Sequence, residues 1–211
     1  MGDAASDQRD REPLPSDRGA FVRAGLLLYG LMGCIALVWR MWTPGATILH
    51  PDGVLPSAGG GGEALVAGVT FGLVGVALSE CITRFTPIGE TLADELGTTL
   101  AGVRTADALL LALASGIAEE MFFRGALQPE VGIFWASALF GACHFLPRRE
   151  FARWSLYATG MGFALGWLFE WTGHLLAPVA AHVVVNGINL PRLARRAESR
   201  RDGSSSSPDG D

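Results

Sequence analysis

The sequence predicts an all-α fold, a polytopic transmembrane helix bundle of about six spans. Three observations predict it. Of the 211 residues, 49% are hydrophobic and the mean hydropathy is +0.31. The charges sit mainly at the two ends of the chain and in short clusters. Between those clusters lie six apolar stretches, each near the ~20 residues that a helix needs to cross a bilayer.

Residues 1–20 mix Asp, Arg, Pro and Ser and read as a disordered cytoplasmic tail. No short apolar run with a small-residue cleavage site follows a basic start, so a signal peptide is not expected. Met1 to Ser6 fit the loose N-myristoylation pattern, which a bacterial-looking chain would not use. The first span, about 21–42, is "FVRAGLLLYGLMGCIALVWRMW", with aromatic residues near its ends as interface anchors. The loop "SAGGGG" leads to a second span at about 63–82. The next segment, "PIGETLADELGTTLAGV", is amphipathic and either lies on the membrane surface or extends the third helix. The third to sixth spans fall at about 105–126, 130–146, 152–171 and 173–191. Frequent glycines suit close packing between them. The membrane domain is thus 21–192, with a motif core at about 105–191, and residues 193–211 read as a basic, then Ser-rich, disordered tail.

All 16 basic residues are arginine. With six spans the termini share a side, and that side collects every arginine except Arg40 and Arg124. The positive-inside rule then puts both termini in the cytoplasm. The Arg-only, Gly- and Ala-rich composition suggests a GC-rich genome, and the expected location is a bacterial inner membrane. Cys34, Cys81 and Cys143 read as small core residues without a disulfide framework. Membrane lipids are expected partners, and nucleic acid is not.

Three apolar segments carry polar pairs four residues apart, one helical turn, so each pair shares a face. They are Glu120 with Arg124, beside Glu119; Phe140 with His144; and His182 with Asn186. A lone His or Asn in a membrane helix is commonly interhelical glue, at about 0.6 kcal/mol per hydrogen bond. A Glu–Arg pair is commonly a neutralised bridge. Glu119, Glu120, His144, His182 and Asn186 together cost far more, and such a set points to one shared polar site. A carboxylate with a histidine can draw a proton from water, while a second histidine and an amide can stabilise an oxyanion. That chemistry hydrolyses a carbonyl compound such as a peptide. Ser115 and Cys143 have no base placed to activate them and read as packing. Two histidines and a glutamate can also form a zinc site, although no His-Glu-x-x-His pair is present. His50, in a loop, and His174, near the interface, are set aside. Trp154, Trp167 and Trp171 read as packing or interface anchors. Arg148, Arg149 and Arg153 read as a topology signal with possible headgroup contact.

The stretches "EEMFFR" at 119–124, "FGACH" at 140–144 and "HVVVN" at 182–186 resemble the three motifs of the CPBP family of intramembrane proteases. That family includes CAAX prenyl endopeptidases and bacterial bacteriocin-processing and immunity proteins. The resemblance covers roughly the C-terminal half of the chain. It implies that Glu119 activates water with the help of His144. It implies that His182 and Asn186 stabilise the oxyanion, and that Glu120 and Arg124 form a supporting salt bridge next to Phe140. The substrate it implies is a membrane-anchored or lipidated protein, cleaved in bacteria as a bacteriocin leader or, in the myxosortase manner, as a C-terminal anchor. Both a glutamate-type mechanism and a metal-dependent one, with Glu119, His144 and His182 on a zinc ion, are known readings of the family. The spacing here inclines to the first.

Two other readings compete. A non-catalytic scaffold or immunity protein would not need Glu119, and a proton or ion transporter would be expected to show repeats or broken helices. One feature of the span boundaries conflicts with a shared site. At ~1.5 Å per residue, Glu119 would lie ~10 Å below the outer end of its helix and His144 ~20 Å down its own. An earlier helix start, or a fourth helix whose first turns near Pro129 lie outside the membrane, would bring them level.

Overall fold

The computed structural model describes residues 15–43, 47–50, 60–144 and 152–205. The first fourteen residues, part of the glycine-rich loop, Arg148, Arg149 and residues 206–211 lie outside the described residues. Among the described residues the fold is all helix: α1 (Pro15–Met41), α2 (Gly60–Phe85), α3 (Pro87–Thr99), α4 (Thr105–Glu120), a π-helical stretch (Met121–Leu127), α5 (Gln128–Cys143), α6 (Ala152–Thr172) and α7 (Leu176–Ser205).

The distribution of polarity is that of a membrane protein. Large apolar side chains face outward, among them Leu27, Val66 and Leu156, whereas Glu120 and Arg124 are 0% and 1% exposed. In water that arrangement would be costly; in lipid it is the favoured one. Gly19–Met41 and Gly60–Phe85 are each long and apolar enough to cross a bilayer, at a mean hydropathy of 2.0. The cysteines do not belong to the core as expected. Cys34, Cys81 and Cys143 are all exposed on the bundle exterior, where a small apolar side chain loses nothing against lipid.

Close packing runs along α7. Glycines of α2 meet it in parallel register: Gly68 lies on the Ala177 carbonyl, and a side chain at Gly72 would come within 2.8 Å of the Ala181 carbonyl. On its other flank α4 runs antiparallel, with Gly116 against Val183 and Ala108 clustered with Ala194. α1 lies along α4, and α6 packs antiparallel to α5, with Gly162 against Ser137. The helices therefore alternate in direction. One end of the bundle holds the start of α1, the α2–α3–α4 connection and the end of α7. The opposite end holds residues 47–50, the α4-to-α5 reversal and the α6–α7 turn.

Three boundaries differ from the sequence reading. First, helix begins at Pro15 rather than after residue 20, and the last helix passes through Pro191 and continues to Ser205. Proline suits a first helical turn. The basic end of α7 is ordered by α3: Arg196 and Arg200 each bond Asp94 at 2.7 Å. Second, the amphipathic segment is a helix of its own. Thr86 caps it by accepting from the Gly89 N–H at 3.0 Å, and Pro87 follows at its first position. Third, no loop separates the third and fourth spans. α4, the π-helical stretch and the first turn of α5 form one rod that reverses only at Gly132 (φ 79°, ψ 166°), a conformation that glycine alone adopts readily.

That reversal removes the conflict in depth. Glu119 stands about thirteen residues before Gly132 and His144 about twelve after it, so both lie roughly 20 Å from the same turn. The third helix continues past the expected end, which lowers Glu119 to the level at which α5 stops.

Candidate active site

The three motifs converge between α4, α5 and α7. Glu119 is buried, and its Oε2 has no hydrogen-bond partner. That oxygen lies 3.8 Å from Nε2 of His144. His144 is the residue at which α5 ends, and its Nδ1 donates to the Phe140 carbonyl at 2.7 Å. With Nδ1 protonated, a neutral ring turns the Nε2 lone pair toward Glu119. Two acceptors thus face each other across a gap too long for a direct hydrogen bond. A donor with two protons, such as water, would satisfy both.

Glu120 and Arg124 form the expected buried pair, 3.1 Å apart and four residues from each other. The widened π-helical turn holds this pair, and such turns recur at functional sites. Each partner does more than the sequence indicated. Arg124 also donates to the Gly162 carbonyl of α6 at 2.9 Å, and its guanidinium lies 4.6 Å over the Phe140 ring. Glu120 also accepts from Nδ1 of His182, at 2.6 Å. His182 is therefore tied to the structural carboxylate, with only Nε2 left for chemistry. Phe140 is central: its ring centroid is 4.6 Å from that of His144 and 6.1 Å from that of His182.

Asn186 donates to the Ser115 hydroxyl at 3.0 Å, and Ser115 in turn donates to the Ala112 carbonyl. Ser115 thus orients Asn186 and is more than packing. Its place one turn before Glu119 was the available signal. Trp154, expected as packing or an interface anchor, packs its ring 5.7 Å from that of His144. Trp167 and Trp171 stack on each other and stay exposed, as interface anchors do. His50 and His174 lie together at the far end, their rings 4.3 Å apart, away from the motif residues.

Among the described residues no group of three His, Cys, Asp or Glu side chains is placed to hold a metal ion.

Fold and site define a polytopic helical membrane protein with a carboxylate–histidine centre buried inside its bundle. Residues 101–188 match the family model described as type II CAAX prenyl endopeptidase Rce1-like. The segment contains all three motifs. A protein of Bacillus subtilis (strain 168), described as uncharacterized protein YpbD, is 40% identical over 96 residues, or 44% of this chain and 49% of that protein. The match spans about half the length of this curated relative. No solved structure matches the chain.

Proposed function

We propose that this protein is an intramembrane endopeptidase that hydrolyses a peptide bond in a membrane-anchored or lipidated protein. The Rce1-like match supports protease activity in general. One observation carries the finer reading: a buried carboxylate oxygen without a partner faces an imidazole lone pair at 3.8 Å. Water held between them gives a proton to Glu119, and its oxygen attacks the peptide carbonyl carbon. The oxyanion takes hydrogen bonds from the second amide N–H of Asn186 and from Nε2 of His182 in its imidazolium form, with Glu120 as counter-ion. Collapse breaks the C–N bond, and the proton on Glu119 passes to the leaving amine. No step needs a metal. Chelator treatment is expected to leave turnover within about twofold, checked on purified protein against a fluorogenic peptide.

The arginine-rich end, with Arg104, Arg192, Arg195, Arg196 and Arg200, is the cytoplasmic one in this reading, in a bacterial inner membrane. Bacteriocin leaders and C-terminal membrane anchors are the substrate classes to examine. The deciding experiment compares the termini of membrane and secreted proteins in cells carrying wild type or Glu119→Gln at matched expression. A defined set of cleaved termini is expected to vanish in the variant, because loss of a general base costs ~10²–10⁴-fold. Identical termini would overturn the reading in favour of a non-catalytic scaffold.

A further inference from the structure

α1 carries none of the three motifs and lies outside the Rce1-like segment, yet one of its faces looks onto the site. Gly25, Tyr29 and Gly33 are spaced four residues apart and share that face. A side chain at Gly25 would come within 3.0 Å of Leu111 on α4, and one at Gly33 within 3.9 Å of Ala118. Gly25 lets α1 approach α4 closely one turn before Tyr29, and Gly33 lies in ordinary contact range one turn after it. The same register, between Leu111 and Ala118, sets the phenol beside the turn that carries Ser115 and Glu119. Glu119 adjoins Ala118, so its carboxylate belongs to the turn of α4 that this face of α1 covers.

A phenol at this depth needs an acceptor, because an unpaired hydroxyl is costly away from water. A carboxylate on a flexible side chain needs a donor if it is to keep one orientation. Glu119 Oε2 has no partner and faces His144. We propose that Tyr29 is a positioning residue for Glu119, holding one carboxylate oxygen so that the other stays turned toward His144 and the reacting water. This inference rests on the protease reading above. It also gives the first helix a part in catalysis that none of the three motifs reveals.

Tyr29→Phe keeps the ring and removes only the hydroxyl. On full-length protein in liposomes, with a peptide spanning a cleavage site found by the terminus comparison, kcat is expected to fall about tenfold while KM stays within about twofold, since misorientation of a reacting group acts on turnover. In a Glu119→Asp background, whose shorter side chain the phenol does not reach, Tyr29→Phe is expected to change kcat by less than about twofold. Tyr29→His, which returns a donor, is expected to recover part of the rate, measured per folded molecule so that any loss of folding cancels. An unchanged kcat in Tyr29→Phe, an equal fall in both backgrounds, or equal rates for Tyr29→Phe and Tyr29→His would each overturn the role. A Glu119→Gln protein that cleaves as fast as wild type would instead sink the protease reading itself.

Discussion

Arg124 shows how much one side chain can integrate. It neutralises Glu120, holds the Gly162 carbonyl of α6 and stacks on Phe140, so it links two motifs to a helix that carries none. Arg124→Ala would leave Glu120 buried with only His182 as a partner. Breaking a buried pair in this way costs about 3–5 kcal/mol, and a clear drop in melting temperature in detergent is expected. Arg124→Lys is expected to recover little of it, because an ammonium can neither fork between two oxygens nor stack flat on a ring. A second residue-scale effect concerns His174. Burial lowers its pKa below the ordinary histidine value, and the neighbouring His50 adds to the effect. Its Nδ1 accepts from the Leu176 N–H at 3.0 Å, which only an unprotonated nitrogen can do. The folded state binds fewer protons here, so the stabilisation is complete above about pH 6.5 and is lost as the pH falls from there. The protection factor of the Leu175 N–H, which bonds the Leu49 carbonyl, is expected to fall between pH 6.5 and 5.

At the scale of elements, the three motifs were legible because each places its polar residues one turn apart on a helix. Their depth was not. Span boundaries were drawn where hydropathy fell, at Gln128 and Pro129, but proline is tolerated in a first helical turn and the rod runs on. The reversal came instead at Gly132, inside "PEVGIF", where nothing in the hydropathy marks it. A side chain there would meet no other atom within 4 Å, so Gly132→Ala tests conformation alone. The expected cost is about 1–3 kcal/mol of backbone strain. Activity is expected to fall more than stability, because any relaxation of the turn shifts His144 along the bundle relative to Glu119; kcat and melting temperature measured on one preparation check this. The second partner of Glu120, His182, was likewise hidden, since the contact joins residues 62 positions apart and no helical period records it.

For the whole molecule, composition and arginine placement sufficed to read an all-α membrane bundle, and alternating helix directions agree with six passes. The ends were misread, because a basic or proline-containing stretch looks like a tail until a partner for it is known. Asp94 supplies that partner for α7. Exposed ion pairs contribute little singly, about 1 kcal/mol or less each, and salt screens them. Asp94→Asn is therefore expected to raise hydrogen exchange beyond residue 193 and to leave cleavage within about twofold; 0.5 M salt on wild type should imitate it. The hairpin at Gly132 has a wider consequence. Its two arms work as a caliper whose jaws are Glu119 and His144, and what matters is that the arms match, not how long they are. Four residues added to one arm would carry one jaw a full turn past the other and silence the protein. Four added to both would close the jaws again at a new level, and so move the plane in the membrane at which a chain is cut.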